Sequence, residues 1–228
     1  MKKGLDAPLV PITFIIFGII GMIFAFKSGD IFQYFFPVTM IICSLIFLNT
    51  SLHGKYIIIK RTIKALEIPQ NSRILDIGTG HGAVLVEVAK YLRKPGKVIG
   101  IDIWNKLDQS DNSKYNAQNN VNMMNLNDVA ELENANMTTL PFKDGSFNYV
   151  IASLSIHNVK PKNKRKKALS EAIRVLKLNG YLIIIDIEHI NEYKKFLIEK
   201  GFTNIKINKT GFNGLWGALP TRVLIAQK

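Results

Sequence analysis

Cysteine is all but missing from this 228-residue chain. The single one, Cys43, lies inside an uncharged run. A disulfide framework, a thiolate metal cluster and a Cys-X-X-Cys redox pair are therefore excluded, and a reducing, cytosol-facing domain is expected. Acidic residues are also scarce: 17 Asp and Glu stand against 30 Lys and Arg, a formal net charge of +13. Beside 47% hydrophobic residues, that excess points to an anionic neighbour, either lipid headgroups or nucleic acid. No two histidines or carboxylates fall at metal-ligand spacing, so no metal is expected. Internal repeats and low-complexity linkers are absent, and the length suits one substantial core beside a very apolar N-terminus.

What residues 9–48 lack is charge. "LVPITFIIFGIIGMIFAF" (Leu9–Phe26) and "IFQYFFPVTMIICSLIFL" (Ile31–Leu48) carry none and are separated by Lys27-Ser28-Gly29-Asp30. At ~1.5 Å per helical residue each covers about 27 Å, close to the ~30 Å hydrocarbon core of a bilayer. Neither shows the polar stripe of a soluble amphipathic helix. A membrane hairpin over residues 1–52 is expected, with helices at about 9–26 and 31–48. Pro11 sits near a helix start, where a missing N–H is tolerated, whereas Pro37 predicts a kink or a later start of the second helix. Lys2 and Lys3 precede the hairpin and Lys55, Lys60 and Arg61 follow it, while the loop holds only Lys27 against Asp30. That bias puts both termini, and everything after the hairpin, on the cytoplasmic side of the cell membrane. A cleaved signal peptide fits poorly, since a second apolar run follows directly and no small-x-small site intervenes. A helical pair docked on the next domain or on a second copy is the alternative.

Beyond residue 53 the pattern changes to short apolar runs alternating with helical stretches. Strands are expected near residues 73–77, 97–102, 129–133, 147–153, 181–186, 205–209 and 222–226, and helices near 56–67, 83–93, 113–123, 164–176 and 191–200. Such alternation implies an α/β domain over 53–228: a seven-stranded, mostly parallel sheet covered on both faces. Its ligand should lie beyond the carboxyl ends of the strands, at the topological switch. The stretch "ILDIGTGHGA" (Ile74–Ala83) is the specific signal. Gly78, Gly80 and Gly82 follow a strand and open a helix, so backbone can pass close to a ligand. Gly78 to Ala83 satisfies the alanine form of the dinucleotide motif. Asp76 tilts the choice, since a carboxylate is awkward beside a pyrophosphate and useful beside an ammonium group.

Here the residues resemble class I S-adenosylmethionine-dependent methyltransferases, whose first motif is similar to "LDIGTGHG". The resemblance runs through roughly residues 55–228 and implies a Rossmann-like fold with S-adenosylmethionine as cofactor. It assigns Asp76, Gly78, Thr79, Gly80, His81 and Gly82 to the cofactor turn. In "VIGIDIW" it gives Asp102 the two ribose hydroxyls, which call for a bidentate acceptor. Ile103 and Trp104 then flank the adenine, unless Trp104 is a core aromatic. "NANMTTLPFKDGSFNYVIASLSIHN" resembles the family's loop and fourth strand. It places Asn136 by the adenine amine, Met137 over the ring and Ser153 by the cofactor. Asn148 stands where the family usually has aspartate, a departure that bears on strand-end structure.

Methyl transfer needs alignment and, for some acceptors, a base. His157, at the end of the fourth strand, is the candidate base or orienting group, with a strand-end hydrogen bond as the plain alternative. Ser155, Asn158 and Trp216 are candidate acceptor contacts, Trp216 equally a packing residue. His53 and His189 read as structural or exposed. Asp108, Gln109 and Ser110 either reach the pocket or cap the next helix. The basic run "KPKNKRKK" (Lys160–Lys167) lies on the active-site rim, pressed to anionic lipid or simply solvated. The expected activity is methylation of a small lipophilic acceptor by a membrane-anchored enzyme; the LPF segment resembles enzymes acting on small molecules, quinones among them. An RNA or protein methyltransferase using the basic rim is the alternative. Nucleic acid is disfavoured because the Asn/Asp-Pro-Pro-aromatic element of related nucleic-acid methylases is missing. A nicotinamide-dinucleotide oxidoreductase is disfavoured by Asp76, and a non-catalytic scaffold by the intact glycines and Asp102.

Overall fold

The computed structural model describes residues 1–228. Two apolar helices come first: α1 (Leu9–Ser28) and, after a 3-10 turn at Ile31–Tyr34, α2 (Phe35–Asn49). The late start of α2 is what Pro37 requires, since within the first turn its missing N–H forfeits no helical bond. Gly18, Gly21 and Ala25 form one face of α1, and α2 seats against it so closely that a Cβ on Gly18 would lie 2.6 Å from Ile41. Small residues at this spacing are what allow two apolar helices to approach. The Ser44 hydroxyl, buried between them, donates to the Pro11 carbonyl at 3.0 Å. The outward side chains, among them Ile16, Phe17, Phe24 and Phe35, stay exposed. The stretches Leu9–Ser28 and Ile31–Ala65, the second taking in α2 and the turns on either side of it, are long and apolar enough to cross a membrane, and 17% of the apolar window of each is buried.

The second helix does not stop where the apolar run ends. It passes through a π-helical turn (Thr50–Gly54) directly into α3 (Lys55–Ala65), which packs on the sheet. Phe47 meets Trp216 edge-on at 4.9 Å between ring centroids. The Thr50 hydroxyl donates to the Leu215 carbonyl, so the hairpin base is bound to the chain's C-terminal part.

The sheet has the order β3-β2-β1-β4-β5-β9-β6. Its strands are β1 (Arg73–Ile77), β2 (Lys97–Asp102), β3 (Ala130–Asn134), β4 (Phe147–Ser153), β5 (Leu176–Asp186), β6 (Thr203–Lys209) and β9 (Arg222–Gln227). Pairing is parallel from β3 through β5, while β9 runs antiparallel to both neighbours. The intervening helices are α4 (Ala83–Ala89), α5 (Lys114–Met123), α6 (Lys162–Val175) and α7 (Ile190–Glu199). The expected elements are all present, with β5 starting earlier, at Leu176. A small hairpin, β7 (Leu215–Trp216) with β8 (Leu219–Pro220), precedes β9. Side chains alternate along the strands as the pleat dictates. Leu75 and Ile77 face α6 and α7, while Ile74 faces α3, α4 and α5. Asn148 bonds at the opposite edge from the ligand side, accepting from the Arg73 amide at 3.0 Å, in keeping with a strand-end role. The strand order reverses between β1 and β4, which puts the crevice at their carboxyl ends.

Gly54 tests the junction between hairpin and sheet. Ala for Gly in a helix interior normally stabilises by about 1 kcal/mol, but here a Cβ would lie 2.0 Å from the Asn213 carbonyl oxygen. Gly54→Ala is expected to destabilise by about 1–3 kcal/mol, read as a lower thermal midpoint of the detergent-solubilised protein.

Candidate active site

The turn after β1 answers why glycine alternates there. Gly78, Gly80 and Gly82 have φ of +74°, +52° and +83°, a region that glycine enters without steric cost. Close approach adds a second reason at Gly78, where a Cβ would lie 2.3 Å from that of Ser155. At Gly82 nothing lies closer than 3.7 Å, so conformation alone demands glycine there. Bonds from β2 fix the turn: the Gly78 and Thr79 amides donate to the Ile101 carbonyl at 2.8 and 3.0 Å. The Gly80 amide donates to Asp102 Oδ2 at 2.8 Å.

A cavity of about 430 Å³ opens above this turn. Of the candidate site residues, all line it except Gly82, Trp104, His157 and Trp216, and of the loop residues Asp108 and Gln109 reach it while Ser110 does not. Gly82 starts α4. The Trp104 indole packs on the hydrophobic core and donates to Asn134 Oδ1 at 2.6 Å, leaving Ile103 at the cavity edge. Trp216 is buried beneath the hairpin, its indole N–H donating to Thr221 at 2.9 Å. Ser155 lines the cavity, but its hydroxyl donates to the Ile77 carbonyl at 2.8 Å and so locks β4 to β1. Asn136 Oδ1 is taken up by its own turn, accepting from the Thr138 amide and hydroxyl, both at 2.9 Å. Met137 leans over Gly78.

His157 turns away from the cavity. Its ring lies against Asp186 at the end of β5, in an ion-pair contact too poorly directed for a hydrogen bond at Nδ1, while its backbone amide donates to Asp186 Oδ2 at 3.2 Å. Burial disfavours the imidazolium, but Asp186, with Glu188 and Asp108, outweighs it and raises the pKa above the ordinary histidine value. In this arrangement the histidine holds the 3-10 turn Ile156–Asn158, which brings Asn158 to the cavity.

The carboxylates define the chemistry. Asp76 is 1% exposed. Its Oδ2 accepts from the Thr79 hydroxyl at 2.6 Å and the Leu85 amide at 3.1 Å, while buried Oδ1 has no donor. Desolvation, only partly offset by those two bonds and reinforced by the charge of Asp102, pushes its pKa up to about 7. A buried carboxylate oxygen without a partner at a cavity wall fits a ligand ammonium group. Asp102 accepts from Gly80 at Oδ2 and from the Trp104 amide at Oδ1, 2.7 Å away; each oxygen keeps a lone pair, as two ribose hydroxyls require. The donor set thus fits S-adenosylmethionine.

Sequence reading missed one wall of the site. Residues 2–7 cross the loop after β2: the Ser110 amide donates to the Leu5 carbonyl at 2.9 Å and the Ala7 amide to the Asp108 carbonyl at 3.0 Å. Gln109 bridges this strap to the turn, donating to Asp6 Oδ1 at 2.9 Å and accepting from the His81 amide at 3.0 Å. Asp6 Oδ2 accepts from Ser51 and from the buried ammonium of Lys55. The His81 ring is enclosed between the carbonyls of Lys2 and Asp111. Ser113, not Asp108 or Ser110, caps α5. These contacts join residues from about 30 to about 100 positions apart, and no local pattern announces them.

Two outcomes follow. Asp6→Ala strands the Lys55 charge in a buried site and should cost about 3 kcal/mol or more, with Asp6→Ala/Lys55→Met recovering most of it in urea unfolding of the solubilised protein. For Asp76, the folded chain keeps a proton that the unfolded chain releases between about pH 4 and pH 7. Its contribution is therefore fully present below pH 4 and lost as pH rises through about 7. Asp76→Asn should remove that slope, up to about 4 kcal/mol of it, in melting curves recorded across the window.

Comparison with known proteins agrees with this geometry. Residues 75–184 match the family model described as a methyltransferase domain. The chain is 31% identical over 143 residues to a demethylmenaquinone methyltransferase of Lactiplantibacillus plantarum, covering 63% of this chain and 55% of that one. It is 34% identical over 127 residues to a ubiquinone/menaquinone biosynthesis C-methyltransferase of Rickettsia felis, covering 55% and 49%. The chain thus spans about half the length of these curated relatives. Among solved structures, a SAM-dependent methyltransferase from Aquifex aeolicus shares the fold with a TM-score of 0.58 at 21% identity, over 74% of this chain and 88% of that one. A geranyl diphosphate methyltransferase in complex with SAM does so with 0.62 at 13%, over 78% and 87%. The glycine turn and the two strand-end carboxylates, Asp76 and Asp102, all lie within the stretch 75–184 that matches a methyltransferase domain.

Proposed function

We propose that the protein is a membrane-anchored enzyme that transfers a methyl group from S-adenosylmethionine to a small lipophilic acceptor of the quinol type. The observation that carries the reading is the pairing of unpartnered Asp76 Oδ1 with Asp102 one strand over, in a cavity that the hairpin base helps to wall. The acceptor class draws on the curated relatives, which are named as quinone-pathway methyltransferases. Lys55 and Ile59 of α3 line the cavity, so an acceptor arriving from the bilayer meets the pocket where α2 passes into α3. The exposed apolar faces of α1 and α2 support anchoring, and the lysines flanking them support termini and catalytic domain on the cytoplasmic side.

When bound, the cofactor supplies an electrophilic methyl group on a sulfonium. The chain's part is to align it. Asp76 takes the ammonium, Asp102 the ribose, and Ile103 and Met137 cover the adenine. Ser153, at the end of β4, stands by the cofactor, and Asn158 faces the acceptor from a turn that His157 and Asp186 hold in place.

Calorimetric titration of the full chain in neutral-lipid nanodiscs tests this. S-adenosylhomocysteine should bind, and Asp102→Ala should weaken it at least about tenfold, the loss of one charged hydrogen-bond acceptor. Affinity should rise with pH up to about 7, because Asp76 must ionise to receive the ammonium, and flatten above it. Binding of NADH instead, or no effect of Asp102→Ala, sinks the assignment.

A further inference from the structure

The basic run at the start of α6 divides into two faces. Lys162 and Arg165 converge on Glu192, at 3.6 and 3.2 Å. Lys164 and Lys167 take the other face, at the i,i+3 spacing that aligns side chains along a helix, and Lys160, two residues before the helix starts, joins them at the cavity. All three line the cavity. They are exposed, and no carboxylate lies within ion-pair distance of any of them, although eleven such pairs occur elsewhere in the chain. The first turn of α6 also holds no acidic residue and no side-chain cap, so these cations add to the positive end of the helix dipole instead of offsetting it. Such a cluster is unfavourable unless something negative meets it.

The cavity is polarised as a result. Its acidic groups, Asp6, Asp76, Asp102 and Asp108, come from the strap, β1, β2 and the loop after β2. The unpaired lysines enter the cavity from beyond the end of β4, beside Ser153 and Asn158, and of the four acids only Asp108 acts on His157 at that end.

We propose that the acceptor carries an anionic group, a phosphate or a carboxylate on an apolar body, and that Lys160, Lys164 and Lys167 are the specificity-determining residues that receive it. This rests on the methyltransferase reading and narrows its substrate class. A row that lines the same cavity as Asp76 and Asp102 suits a ligand group better than a flat lipid surface does. A basic row without interleaved aromatics lacks the stacking platform of a single-stranded nucleic-acid site.

The test uses the full chain in phosphatidylcholine nanodiscs saturated with S-adenosylhomocysteine, titrated with octyl phosphate, with octyl glucoside as the neutral probe of equal tail and with inorganic phosphate. Three variants are compared: wild type, Lys160→Gln/Lys164→Gln/Lys167→Gln, and the charge-matched Lys143→Gln/Lys166→Gln/Lys195→Gln. Octyl phosphate should bind wild type more tightly than either other probe, and the first triple variant should lose about tenfold or more. The charge-matched variant should stay within about twofold of wild type. Equal losses in both triple variants would show general charge attraction and overturn the proposal. So would a loss confined to binding of phosphatidylglycerol vesicles, which makes the row a membrane contact, or one confined to a single-stranded RNA oligomer. S-adenosylhomocysteine binding is measured in all three proteins, and the charge-matched variant should keep wild-type affinity. Its absence in wild type would defeat the methyltransferase reading, whereas its presence without lysine-dependent octyl phosphate binding would defeat only the acceptor class.

Discussion

Burying Asp76 at the end of β1 obliges the chain to bring donors to it, and the local architecture follows from how few it brings. Thr79 and Leu85 satisfy one oxygen, which requires the chain to turn within three residues and start α4 at once. Left-handed glycines make so sharp a turn possible without side-chain strain. The turn in turn fixes where β4 must end, because Ser155 bonds the last carbonyl of β1. One oxygen remains without a partner. A folded protein tolerates such an orphan poorly, and a cationic ligand is the natural remedy, so the local instability and the binding role are the same fact.

The hairpin and the catalytic domain share this region. The strap before α1 lies over the loop after β2, and Gln109 touches both the strap and the cofactor turn. At the other end of the hairpin, Thr50, Phe47 and Gly54 are packed against the segment 213–216. The apolar helices are therefore fastened to the domain at two places, one of them a wall of the pocket, and not hung from it by a linker.

Much of this was legible in the residues. Alternating apolar runs located the parallel strands, and the glycine turn with Asp76 and Asp102 located the crevice, because those signals are local and periodic. The early start of β5 was hidden by Lys177, Asn179 and Gly180, residues that read as turn and lie where the register with β4 shifts, Asn179 and Gly180 bonding to Lys228 instead. Pairings between distant segments were out of reach. Nothing near His157 reveals that β5 will end in Asp186 beside it, and nothing near Trp216 reveals Phe47. Asp6 reads as an isolated acid ahead of an apolar run, and only the fold sets it against Lys55. The basic run could be read as a rim, but its division into paired and unpaired faces depends on Glu192, which belongs to α7.

The unbroken passage from α2 through the π-helical turn into α3 has a geometric consequence. At ~1.5 Å per residue, Lys55 stands roughly 9 Å beyond the last residue of α2, Asn49. In the proposed membrane-anchored arrangement, a stiff helix of that length would act as a spacer, setting the height and tilt of the catalytic mouth over the lipid plane. A greasy molecule would then need to rise by only about the thickness of the headgroup layer, keeping its tail immersed while its head is modified, and its search for the enzyme would be two-dimensional.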